Sequence, residues 1–178
     1  GLPDMKILIK STILPNQIEK YPENVTYSPE FLREKYAKFD FHNQKISVWG
    51  GNDIPFWLTK FKGLKKQNVI TNRTTASMIK YVHNSWLATK VTFFNELKVL
   101  HELGSSMVSW EQFTDMLSRD ERIGKSHMQV PGPDGKEGFG GHCFPKDTEA
   151  LLHYANKKNI KMSVLRKAVS INKKIRNS

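Results

Sequence analysis

Four short apolar runs come first along the chain. Lys6-Ile7-Leu8-Ile9-Lys10 ends at Ser11-Thr12 and Pro15, and Val25-Thr26-Tyr27-Ser28 stops at Pro29. Ile46-Ser47-Val48-Trp49 stops at Gly50-Gly51, and Asn68-Val69-Ile70-Thr71 is the fourth. Short, β-branched and flanked by breakers, they predict strands of a largely buried sheet. From Thr74 the apolar period becomes helical: Met78, Val82, Trp86, Phe93, Leu97 and Leu100 fall near one stripe that runs to Gly104. At about 1.5 Å per residue this helix would be roughly 45 Å long. That exceeds what a small domain needs, so the helix is expected to bridge two domains or join a second chain. Ser109 followed by Gln112 resembles a capping box opening a helix through Leu117. Two further helices are expected over 148–157 and 163–175, and the Pro- and Gly-rich stretch 128–136 reads as a loop. No segment repeats at a fixed period, which argues against a solenoid.

Composition narrows the class. The 178 residues carry 28 Lys and Arg against 17 Asp and Glu, a formal charge of +11. That excess suggests an anionic partner such as a phosphorylated small molecule, nucleic acid or an acidic surface. The lysines are dispersed, with no zinc-finger spacing and no RNP-type aromatic motif, so nucleic acid is disfavoured. Charges interrupt every apolar run well before the ~18 residues a membrane span needs. No secretory pattern opens these residues, and a cytoplasmic location is expected. With one cysteine, Cys143, there is neither an intrachain disulfide framework nor a multi-thiolate metal cluster, and no metal is expected.

Three clusters carry chemistry. Gly138-Phe139-Gly140-Gly141-His142-Cys143-Phe144-Pro145-Lys146-Asp147 places three glycines just before the lone thiol. Glycines let backbone approach a ligand closely, and His142 and Lys146 are cations that favour a thiolate. Asp147 stands where a helix would begin, either as its N-cap or as an ionised carboxylate beside the thiol. Alone, this cluster is equally a capped turn with an inert cysteine. Lys80 and Asn84, four apart, share a helix face and can present an ammonium and an amide to one oxygen, although a solvated face has the same spacing. Ser28-Pro29-Glu30-Phe31-Leu32-Arg33-Glu34 follows a predicted strand, where a ligand at the sheet's carboxyl edge would lie. A local ion pair is the plain alternative there.

In this order, these segments resemble the nucleotide-sugar 6-dehydrogenases, the UDP-glucose/GDP-mannose dehydrogenase family. The matching pieces are Ile9–Thr12, Ser28–Glu34, Met78–Asn84, Ala88-Thr89-Lys90 with Asn95-Glu96, Asp120–Gly124 and Gly138–Asp147. The resemblance covers roughly residues 5–175. It implies an α/β remnant, the edge of a Rossmann-type sheet at the end of an NAD-binding domain, over 1–72. A mostly helical central domain with one long helix would follow over 73–178, forming a homodimer through that helix.

It also implies two NAD-dependent oxidations of a sugar C6 alcohol to a carboxylate. Cys143 would capture the aldehyde as a thiohemiacetal and carry a thioester; Lys80 and Asn84 would stabilise oxyanions, and Asp147 would position or activate water. Thr12 and Glu34 match the nicotinamide side and Lys146 a further cofactor contact. Glu30, Phe31, Leu32, Arg33, Arg122, Phe139 and Gly140 match the UDP-sugar pocket together with Lys80 and Asn84. UDP-glucose, giving UDP-glucuronate, is the leading substrate; GDP-mannose and UDP-N-acetylhexosamines are the alternatives. No Gly-x-Gly-x-x-Gly follows a strand, so these residues are expected to be part of a larger enzyme, unable to hold NAD well alone. A non-catalytic basic oligomerisation or binding module on the long helix is the rival of another class.

Overall fold

The computed structural model describes residues 5–33, 36–43, 45–62, 67–104 and 108–177. The chain order is β1 (Ile7–Ile9), α1 (Pro15–Ile18), β2 (Val25–Tyr27), α2 (Ala37–Asn43), β3 (Ile46–Gly50), α3 (Ile54–Lys60) and β4 (Gln67–Thr71). Helices α4 (Arg73–Leu103), α5 (Trp110–Leu117), α6 (Cys143–Asn156) and α7 (Ser163–Asn177) follow. Two compact units result, Gly1–Val82 and His83–Ser178, with the division inside α4.

In the first unit all four apolar runs form strands, ordered β1-β2-β3-β4. β1 and β2 run parallel with Ile9 opposite Tyr27, β2 and β3 meet antiparallel at Tyr27 and Gly50, and β3 and β4 are parallel. The edge of a Rossmann-type sheet is therefore present, with one antiparallel junction. Ile18, Tyr27 and Val48 from the sheet side pack with Ala76 of α4 in a buried cluster, and Ile9, Ile13, Phe31, Val69 and Ile79 close around it. Gly50 is dictated by this packing: a Cβ there would lie 2.7 Å from the backbone nitrogen of Arg73, so α4 leaves the sheet directly over it.

The second unit is helical. Ser109 caps α5 as expected, its hydroxyl accepting from the Gln112 N–H at 3.2 Å while the Gln112 side chain accepts from the Ser109 N–H at 3.0 Å. Phe94, Trp110, Met128 and Val130 form its buried cluster, and the Trp110 indole N–H donates to the Met128 carbonyl at 3.2 Å. The loop after α5 is thus pinned by its own apolar residues. Lys90 pins it as well: the buried ammonium donates to the Ile123 and Gly124 carbonyls at 2.8 Å each. Burial lowers the Lys90 pKa from its ordinary value.

Two expectations change. Helix α6 begins at Cys143, five residues before the expected 148, so Asp147 lies in its second turn and His142 occupies the cap position. The N-cap reading of Asp147 is thereby excluded. The second change is three short helices, α1, α2 and α3, that the apolar pattern does not announce.

Candidate active site

In the first unit the parallel pairing of β1 with β2 brings their carboxyl ends side by side. Half-buried Thr12 leaves from one end, and the segment from Ser28 to Arg33 from the other. Phe31 packs against the unit's core and lies beneath the Lys80 ammonium, 5.2 Å from ring centroid to Nζ. Lys80 is only 5% exposed. A buried ammonium is costly unless its surroundings compensate, and an aromatic face supplies part of that compensation. Glu30 lies 3.8 Å from Lys10, a lysine that also stands over the Trp49 and Phe61 rings and whose pKa burial lowers.

Leu32 is half-buried, and Arg33 turns its guanidinium to Asp40, with Nε–Oδ2 2.9 Å and Nη2–Oδ1 2.6 Å. This hydrogen bond holds the Asp40 carboxyl below its ordinary pKa. Arg33 is therefore engaged in fixing its own loop. Glu34 lies outside the described residues.

In the second unit the chemistry gathers where the head of α6 meets α4. Cys143 is an exposed free thiol in the first position of α6, where backbone N–H groups have no carbonyl within the helix to bond. Asp147, one turn later on the same face, is 1% exposed. Its Oδ2 accepts a 2.6 Å hydrogen bond from the Asn84 side-chain amide of α4. Lys146 Nζ lies 3.1 Å from the other oxygen, Oδ1, as an ion pair. That contact falls short of hydrogen-bond geometry, so Oδ1 has no hydrogen-bond partner among the described residues. The Asn84 carbonyl oxygen faces His83 Nδ1 at 3.1 Å. A buried carboxylate with one oxygen hydrogen-bonded and the other held only as an ion pair keeps hydrogen-bonding capacity for a water or hydroxyl, and a thiol one turn away can act as a nucleophile.

The glycine stretch leading into α6 is equally ordered. The Gly138 N–H donates to Asn95 of α4 at 2.8 Å. Asn172 of α7 holds the backbone on both sides of Phe139, accepting from the Phe139 N–H at 2.6 Å and donating to its carbonyl at 2.9 Å. Phe139 is buried with its ring edge-on to Phe144, and Gly140 is half-buried in a cavity of about 310 Å³ that α7 also lines. Arg176, one turn beyond Asn172, pairs with Asp134 at 2.8 Å and holds that carboxyl below its ordinary pKa. Neither Asn172 nor Arg176 is marked out by sequence pattern, since their partners lie far back in the chain. Arg122 stands apart from these groups, exposed and forked onto Asp120 at 2.9 and 2.5 Å.

The pyrophosphate of a dinucleotide finds no cradle among the described residues. The one double glycine that follows a strand, Gly50-Gly51, is filled by the start of α4 and by the Val25 carbonyl. No group of His, Cys, Asp and Glu among the described residues could hold a metal ion, and no described helix is long and apolar enough to cross a membrane.

Comparison with known proteins gives a consistent picture. UDP-glucose 6-dehydrogenase of Rickettsia prowazekii is 37% identical over 186 aligned residues, covering 96% of this chain and 41% of that protein. The structure of a UDP-glucose dehydrogenase from Pyrobaculum islandicum superposes with a TM-score of 0.81 at 28% identity, over 94% of this chain and 41% of the other. The structure of GDP-mannose dehydrogenase from Pseudomonas aeruginosa superposes with a TM-score of 0.59 at 25% identity, over 96% of this chain and 42% of the other. The chain thus spans about two fifths of the length of these relatives. The model of the UDP-glucose/GDP-mannose dehydrogenase family, central domain, matches residues 74–174, and the chain belongs to that family.

Proposed function

We propose that these residues form the carbonyl-chemistry portion of a nucleotide-sugar 6-dehydrogenase, acting on a UDP-sugar with UDP-glucose first among candidates. The observation that carries this reading is the head of α6: an exposed thiol one turn from a buried carboxylate that Asn84 holds by one oxygen. A turn capped by Asp147 around an inert cysteine would have neither the buried carboxylate nor its hydrogen bond to Asn84.

In this reading Cys143 adds to the C6 aldehyde carbon. A sulfur–carbon bond forms as the carbonyl π bond breaks, its electron pair moves onto the oxygen, and the proton given up by the thiol then neutralises that oxygen. Asn84, and Lys80 one helical turn before it in α4, stabilise the negative charge on that oxygen. At the thioester stage Asp147 orients the attacking water through Oδ1 and takes its proton, the sulfur–carbon bond breaks, and the thiol returns. Removal of hydride before and after thiol capture is the chemistry that the family's NAD supplies. Its pyrophosphate has no seat among the described residues, so no step through it is derived from them. By motif, Thr12 and Glu34 are assigned to the nicotinamide side, Lys146 to a further cofactor contact, and Glu30, Phe31, Leu32, Arg33, Arg122, Phe139 and Gly140 to the sugar nucleotide.

The same reading includes a homodimer through α4. Trp86, Phe93 and Leu100, spaced by seven, are 64, 58 and 67% exposed, an apolar stripe that a second copy would cover. A reducing cytoplasm suits the exposed thiol.

Turnover by the full natural chain with UDP-glucose, GDP-mannose and a UDP-N-acetylhexosamine tests the assignment. NADH release greatest with UDP-glucose, two per sugar, is the expected result. Release with GDP-mannose alone would transfer the assignment to that substrate, and release with none would remove it.

A further inference from the structure

We propose that Asn172 of α7, with Asn95 of α4 opposite it, positions Cys143. Two buried amides hold the Gly138 and Phe139 peptides and so fix the bend that leads into α6. The inference rests on Cys143 being the reactive group named above.

Each amide is oriented without ambiguity. Asn172 uses both ends on one residue and so bridges two successive peptides, accepting the Phe139 N–H at Oδ1 and donating Nδ2 to the Phe139 carbonyl. Asn95 donates its Nδ2 to the Val91 carbonyl one turn back at 2.8 Å, which leaves Oδ1 to receive the Gly138 N–H. Both side chains are 5% exposed. Burying an amide is unfavourable unless its hydrogen bonds are met, and these two spend theirs on the bend and on their own helix. The fit extends to the residue held. Gly138 has φ +71°, and a Cβ there would lie 2.5 Å from Asn172 Oδ1. The left-handed glycine and the amide that reaches it are therefore one device.

The consequence for the thiol follows from spacing. Cys143 stands four residues after Phe139, which Asn172 holds, and four residues before Asp147, which Asn84 holds. An apolar residue at 172 would fill the space but leave the Phe139 peptide unpaired and its direction unset. Arg176 adds to the grip of α7, accepted by the Glu137 carbonyl at 3.3 Å and by Asp134.

The test pairs amide hydrogen exchange with alkylation of Cys143 by iodoacetamide under native conditions. In Asn172→Ala, exchange across 138–144 rises at least about tenfold while α5 keeps its protection. Alkylation slows at least about fivefold, because a released bend lets the first turn of α6 fray around the thiol. Asn172→Asp keeps the shape and the acceptor but sets a carboxylate oxygen against the Phe139 carbonyl in place of the donor; it shows the same two changes, and it serves if the alanine variant does not fold. Val169→Ala, one turn earlier on α7 and buried, is the packing control and leaves both readings within about twofold of the parent.

Exchange that rises equally through α5 would make Asn172 merely structural. A loosened bend with unchanged alkylation would also overturn the proposal. The catalytic reading fails separately, through a Cys143→Ser protein that still turns over, an outcome that leaves these two measurements on the parent thiol unaffected.

Discussion

Asp147 shows how one residue's position decides its chemistry. As an N-cap it would spend its carboxylate on backbone N–H groups. Inside α6 and buried, it has one oxygen hydrogen-bonded to Asn84 and the other 3.1 Å from the Lys146 ammonium. Asp147→Asn keeps the shape but loses the base, so the hydrolytic half of the reaction slows by about a hundredfold while thiol capture proceeds. Rapid-quench kinetics checks this: product formation falls and enzyme-bound acyl group accumulates. The thiol, the carboxylate and the Lys80–Asn84 pair were legible in sequence because each partner lies one helical turn from the other. Asn172 was not, since its partner is 33 residues away and an asparagine among lysines on a helix looks solvated. Arg33 was legible as a charged residue at a strand end, but its engagement by Asp40 depends on how α2 folds back.

The same division holds for the elements. α4 and α5 announce themselves by periodicity and by a capping box, and Ser109→Ala is expected to cost about 1 kcal/mol in urea-unfolding stability. α2 buries no residue and α3 buries only Ile54, so neither has the apolar stripe by which a helix is read. The early start of α6 is hidden by Pro145, which reads as a breaker. In the first turn of a helix, however, a proline forfeits no intrahelical hydrogen bond.

The loop between α5 and α6 has an acid-sensitive fastening. The Arg176 hydrogen bond depresses the Asp134 pKa in the folded state, so its contribution is complete above the usual carboxylate range and is lost as pH falls through the lower folded value. Hydrogen exchange across 131–138 should therefore rise on acidification through that window in the parent and show no such step in Asp134→Asn. An equal step in both proteins would assign the effect elsewhere.

At the scale of the whole molecule, the described residues offer an exposed thiol one turn from a buried carboxylate, and one exposed apolar helix face. They do not seat the dinucleotide's phosphates. The family's redox reaction thus divides between what these residues do and what the rest of a relative's length supplies. If α4 carries the proposed dimer, Trp86→Glu with Phe93→Asp removes its apolar stripe, and sedimentation should report a dimer for the parent and a monomer for the variant. A parent that sediments as a monomer at high concentration would remove the dimer from the account.

The central claim is that Cys143 carries the substrate through a covalent stage. Its most direct measurement is acid quench of the full natural chain during UDP-glucose oxidation, followed by mass spectrometry of the peptide bearing residues 138–147. A uronyl thioester on Cys143, absent without substrate, is expected, together with at least about a thousandfold loss of turnover in Cys143→Ser. Steady turnover with that sulfur unmodified, or a Cys143→Ser protein as active as the parent, would contradict it.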